Sequence, residues 1–330
     1  MKINIMKQFK SLKISHISVL LIFAFIVFIT FWYLCGNVFV SIDNIQSMAL
    51  QIPELGILSL GMMVVLLTSG INLSLIATAS LSGIISAFLL TRIISPGNTG
   101  VEILLLIFLI AVIGLIVSII IGGINGILIA ILDIPPILAT LGTMMIATGV
   151  SLVLTGGDVI VGFPTEMQIF GTSNIFGIPT PFVIFITCAV IMAIFLNKTT
   201  IGLKTYLIGT NPLACLFSGI NNKSVLIRTY MISGLCSGIA GLIMISRFNS
   251  ARANYGESYL LLTILASVMG GVSSSGGFGK VSGVVLSLII LQMISSGFNL
   301  LGISNYLSLF FSGAILIVIM IIRYAIERQR

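Results

Sequence analysis

The chain has 330 residues, 58% of them hydrophobic and only 7% charged, with a mean hydropathy of +1.26. A soluble domain of this length does not carry that balance, so the sequence describes an all-α polytopic membrane protein with room for about ten spans of roughly 20 residues. A β-barrel is excluded, because stretches such as 103–121 are apolar on every side instead of alternating, and the net charge of +7 is read below as a matter of topology.

Lys2, Lys7, Lys10 and Lys13 precede the first apolar run in the order of a secretory signal. The run from Ile17 to Leu34 is too long for one, and Phe31, Trp32, Tyr33 and Leu34 stand where a cleavage site needs small residues. The aromatics predict an interfacial anchor. Expected spans lie near 17–39, 50–69, 72–91, 103–128, 136–155, 179–196, 225–245, 257–270, 281–299 and 305–322. Starting inside, this ladder puts every Lys and Arg on the cytoplasmic side except Arg92, Arg247 and Arg252. The basic excess is therefore topological, which argues against a nucleic-acid partner. The division expected is a cytoplasmic segment 1–16, one membrane domain 17–323 with a cytoplasmic loop 198–224, and a cytoplasmic tail 324–330.

The span cores as drawn hold no Asp, Glu, Lys or Arg, with Glu54, Arg228 and Glu257 only at their ends. They hold neutral polar groups instead. Asn72, Ser74, Asn125, Thr140, Thr143 and Asn299 are candidates to line a translocation path, and such a path suits a neutral, hydroxyl-rich solute. Taken singly, each is more commonly an interhelical hydrogen bond. Gly122 with Gly126, and Gly234 with Gly238 and Gly241, place small residues on one helical face and predict close crossings.

The basic, polar break GLKTYLIGTNPLACLFSGIN at 202–221 signals a short helix. Asn211 is a good N-cap, Pro212 fits the first helical position, Leu213, Leu216 and Phe217 fall at i, i+3 and i+4, and Gly219 ends the turn. Its apolar face either rests on lipid headgroups or docks on a protein. Beyond the seventh span, Arg247, Arg252 and Glu257 border an outer connection, where they either pair with charges on a docking protein or sit solvated.

GGVSSSGGFGK at 270–280 is not a P-loop, since Ser274 and Val281 stand where that motif needs Gly and Ser or Thr. It predicts a tight turn between spans and no ATP site. His16 is the only histidine, and Cys35, Cys188, Cys215 and Cys236 show no CxxC spacing. Neither a metal site, a catalytic triad nor a disulfide framework is expected.

LTSGINLSLIATASLSG at 67–83, NGILIAILDIPPILATLGTM at 125–144, FGIPTPFVI at 176–184, GLKTYLIGTN with LFSGIN, and SGGFGKVSG with GFNLLGIS follow one another in an order that carries a resemblance. From about residue 40 to residue 323 the chain resembles the permease subunits of bacterial ATP-binding-cassette importers for simple sugars, the ribose permeases most of all. The resemblance implies a multi-pass protein of the bacterial cytoplasmic (inner) membrane with both termini in the cytoplasm and no enzymatic activity of its own. It implies as partners a second permease subunit, a cytoplasmic ATPase that holds ATP and Mg, an extracytoplasmic solute-binding protein, membrane lipid and a sugar, a ribose-like pentose first. Asn211, Pro212, Leu213, Leu216, Phe217 and Gly219 fall on the family's ATPase-coupling segment. Nucleosides, autoinducer-like sugars and branched-chain amino acids are the alternative substrates, and a stand-alone carrier or channel is the alternative class. Pro212-Leu213-Ala214 replaces the family's usual Glu-Ala-Ala, and Asn72 its usual Asp.

Overall fold

A computed structural model describes residues 16–94, 100–304, 307, 310, 311, 313 and 314. Residues 1–15 with their four lysines, most of the expected tenth span at 305–322, and the tail 324–330 lie outside the described residues. The elements in order are α1 His16–Cys35, α2 Ile42–Leu66, α3 Leu75–Ile93, α4 Val101–Ala130, α5 Pro136–Thr155, β1 Ile160–Val161, α6 Thr165–Thr172, β2 Asn174–Ile175, β3 Ile178–Pro179, α7 Thr180–Lys198, α8 Thr200–Thr210, α9 Pro212–Phe217, α10 Asn222–Phe248, β4 Ser250–Ala251, α11 Tyr259–Met269 and α12 Val281–Leu300. Two-residue pairings β1 with β4 and β2 with β3, both antiparallel, are the whole of the sheet among them.

Eight of these helices are long and apolar enough to cross a membrane: α1, α2, α3, α4, α5, α7, α10 and α12. Burial shows what surrounds them. In α4 only a stripe through Ile103, Ile107, Ile110, Gly114, Ser118, Gly122 and Asn125 is buried, while Leu105, Phe108, Leu109 and Ile120 are exposed. A helix apolar all round yet buried on one face has a hydrocarbon neighbour on the other. α2 and α10 are the inner pair, the former buried almost continuously from Ile52 to Leu66.

α10 packs against α4, α2 and α3, and small residues make that possible. A Cβ on Gly126 would come 2.6 Å from the Ile227 Cα, and Gly122, Gly234 and Gly238 likewise face backbone or Ser118 across the α4–α10 crossing. The stripes expected from spacing thus meet each other, letting dispersion contacts form between backbones.

Two expected spans are redrawn. The span drawn at 50–69 is a helix from Ile42 to Leu66, because the Ser41 side chain caps the Asn44 N–H at 3.3 Å and Pro53 is carried inside the helix without ending it. The span drawn at 257–270 is the 11-residue α11, about 16 Å long and so about half the ~30 Å hydrocarbon thickness. Its path continues as irregular chain through Gly270–Lys280, where Val272 and Ser273 are buried and Ser274, Ser275 and Phe278 are exposed.

Candidate functional site

Three places gather the residues singled out by the sequence. The first is α9. Asn211 accepts the Ala214 N–H on its side chain at 3.0 Å, Pro212 opens the helix, and Gly219 at φ +76° closes the turn beyond it. Asn222 reaches back to the Pro212 carbonyl at 2.8 Å and fixes the helix to the start of α10. Cys215 faces inward onto Ile208 and Val225, whereas Leu213 and Leu216 are exposed and Phe217 is 90% exposed. The helix is anchored by one side and offers apolar groups on the other.

α9 is preceded by α8, a helix that sequence reading left within the loop; Thr199 caps it at the Gly202 N–H. Its end meets the glycine-rich segment. The Gly277 N–H donates to the Leu67 carbonyl at 2.9 Å, and the Ser69 hydroxyl to the Ser275 carbonyl at 2.7 Å. The Tyr206 hydroxyl donates to the Gly279 carbonyl at 2.8 Å, and burial pushes the Tyr206 phenol up, keeping it a donor. A Cβ on Gly209 would come 2.5 Å from the Gly277 nitrogen, so the two backbones touch. The expected tight connection is therefore a three-way junction of α2, α8 and the chain leaving α11.

The second place is a polar seam. The Thr143 hydroxyl donates to Asn125 Oδ1 at 2.7 Å, Asn125 Nδ2 to Ser74 Oγ at 2.8 Å, Ser74 Oγ to Asn72 Oδ1 at 2.8 Å, and Asn72 Nδ2 to Ser233 Oγ at 2.9 Å. Every member is buried, and the chain of bonds joins α5, α4, the turn before α3, and α10. Thr140, fully buried, donates to the Pro136 carbonyl at 2.7 Å. Five of the six residues considered for a path thus lie inside the bundle with protein partners. Asn299 stands apart, exposed in the last turn of α12 about 27 Å along that helix from Val281. Ser233 and the buried Tyr230 were missed by sequence reading, although Ser233 adjoins Gly234 on the small-residue face that pointed to a crossing.

The third place lies at the other end of α10. Arg247 donates to Glu54 Oε1 and to the Leu50 carbonyl, each at 3.0 Å, and the Tyr259 hydroxyl reaches Glu54 Oε2 at 3.4 Å. Glu54 is wholly buried. Because α2 begins at Ile42, Glu54 is not at a span end as drawn from sequence but about 18 Å along the helix before Leu66. The carboxylate is tolerated there because it is paired and hydrogen-bonded. Arg247, expected to face outward with Arg252 and Glu257, is engaged in this pair; Arg252 and Glu257 are exposed. Among the described residues no three His, Cys, Asp or Glu side chains gather as a metal site.

Known proteins resemble this chain over most of its length. It is 38% identical to the ribose import permease protein RbsC of Bacillus subtilis over 277 residues, covering 83% of each chain. It is 34% identical to the corresponding protein of Haemophilus influenzae over 284 residues, 85% of this chain and 84% of the relative. It is 32% identical to the autoinducer 2 import system permease protein LsrD of Escherichia coli over 283 residues, 84% of this chain and 82% of that protein. No solved structure matches. The family described as branched-chain amino acid transport system / permease component matches residues 44–320, and the chain, a multi-pass all-α membrane protein, belongs to that permease family.

Proposed function

We propose that the chain is the membrane-spanning subunit of an ATP-driven importer and moves a simple sugar, a ribose-like pentose first, delivered by a solute-binding protein. The observation that carries this reading is α9, a capped helix that leaves Leu213, Leu216 and Phe217 uncovered at one end of the bundle. Such a face suits a groove on a cytoplasmic ATPase, which holds ATP and Mg and hydrolyses the ATP. In this reading the α9 end is cytoplasmic, as are both termini, in the bacterial inner membrane, and a second permease subunit completes the path.

α9 follows α8 directly, and α8 is bonded through Tyr206 to Gly279 of the segment that leaves α11. The polar seam of Asn72, Ser74, Asn125 and Thr143 holds α3, α4, α5 and α10 together. Of Arg247, Arg252 and Glu257, the last two are exposed and left to meet a binding protein. The relatives named as ribose and autoinducer 2 import permeases support a sugar over a branched-chain amino acid. Reconstitution with the candidate ATPase and binding protein, screened over pentoses and hexoses, is expected to give ATP-dependent sugar accumulation that the chain alone does not support. Accumulation by the chain alone from an ion gradient overturns the reading.

A further inference from the structure

At the end of the bundle opposite α9, about 40 Å away along the 27-residue α10, a cleft of about 430 Å³ opens between the last turn of α10 and the start of α11. That is the size of small-molecule sites, ~300–1,000 Å³. Met244, Phe248, Tyr255 and Tyr259 line it with Ser250 and Ser258, and no charged side chain does. Arg247 beside it is engaged by Glu54 and the Leu50 carbonyl.

Phe248 and Tyr255 meet edge to face, ring centroids 5.3 Å apart, so their orientation is fixed. The Ser250 hydroxyl donates to the Phe248 carbonyl at 3.1 Å and shares a hydrogen bond of 2.7 Å with the Tyr255 hydroxyl, which engages both hydrogens and leaves lone pairs to accept. Gly256 keeps the space open: at φ +76°, a Cβ would come 2.6 Å from Met244 Cε.

Aromatic faces, accepting oxygens at Ser250 and Tyr255, the exposed Ser258 hydroxyl that both donates and accepts, and no charged side chain in the lining fit a neutral polyhydroxylated ring. An amino-acid zwitterion would lose its hydration there without charged partners. We propose that this cleft is a receiving site on the permease itself for a neutral, monosaccharide-sized polyol. The proposal rests on the sugar reading above and adds to it a location. Tyr259, one of the lining rings, also reaches Glu54, so an occupant bears directly on the first turn of α11.

The test is saturation-transfer NMR on the full chain in lipid nanodiscs, with D-ribose, D-xylose, D-galactose and L-leucine as probes. Transfer to at least one sugar and not to leucine is expected. Tyr255→Ala and Ser258→Trp are each expected to lower it at least about fivefold, a change of about 1 kcal/mol in affinity. Ser258 is exposed and makes no capping bond, so its replacement fills the cleft without removing support from α11, even where Tyr255→Ala fails to fold. The exposed Lys198→Gln is the unchanged control. Transfer to no sugar, equal transfer to leucine, or transfer unaltered in both cleft variants overturns the proposal. Sugar accumulation by the assembled wild-type importer in those cases leaves the importer reading standing; accumulation of leucine in place of any sugar removes both.

Discussion

The α9 end and the interior of the bundle handle polarity in opposite ways. α9 exposes Leu213, Leu216 and Phe217 while the amides that flank it, Asn211 before and Asn222 Nδ2 at the start of α10, hold it in place. The interior buries Glu54, Arg247, Asn72, Ser74 and Asn125 in bonds to one another and exposes nothing of that network but part of Arg247. Residues whose bonding capacity is satisfied within the chain hold the fold together; residues whose surface is left uncovered are available to a partner. Polar residues in spans look functional and apolar residues in a loop look structural; here the polar ones are bonded within the chain and the apolar ones are left uncovered.

The strongest way to break this contrast is to unpair the interior charge. Arg247→Met leaves Glu54 buried without its partner and is expected to cost about 3–5 kcal/mol, read as thermal unfolding of the full chain in detergent micelles. Adding Glu54→Leu to it should restore most of that loss. A single variant as stable as the unmodified chain would show that the pair contributes nothing.

Phe217→Asp probes the other side of the contrast. With 90% of Phe217 exposed, the chain's own unfolding should not move. Association with the ATPase is expected to weaken by at least about 2 kcal/mol, the scale of an interface hot spot. Co-purification at unchanged stoichiometry and salt resistance, with only membrane partitioning of a 202–221 peptide altered, would assign the face to lipid instead.

Asn125→Ala removes two links of the seam, to Ser74 and to Thr143, and is expected to destabilise the chain by about 1–2 kcal/mol while sugar selectivity in the assembled importer stays the same. A changed order of preference among pentoses and hexoses would move the seam from scaffold to path. The smallest effect belongs to Arg252→Glu, an exposed site: binding-protein-stimulated ATP hydrolysis should fall a few-fold at low salt and recover as salt screens the contact, with the basal rate constant throughout.

Hydropathy alone determined that the chain is an α-helical membrane protein, because lipid offers no hydrogen bonds and each apolar run must satisfy its own backbone. Local chemistry also fixed α9, where Asn-Pro at 211–212 and Gly219 act within one or two turns, and the glycine spacing that anticipated the α4–α10 crossing. Ribose-permease likeness was legible in the ordered segments from 67–83 onward.

Tertiary structure decided the rest, since it depends on residues far apart in the chain. Glu54 and Arg247 are 193 positions apart, and nothing local distinguishes a carboxylate that will be paired in the interior from one at a membrane surface. An apolar run at 257–270 reads as a span by composition, but its helix is only Tyr259–Met269, and the chain beyond takes backbone bonds to residues far away, such as the Gly277 N–H to the Leu67 carbonyl. Whether Asn72 and Asn125 face a path or each other was set only when α4, α10 and the turn before α3 closed around them, because an amide bonds whichever partner the packing brings within about 3 Å.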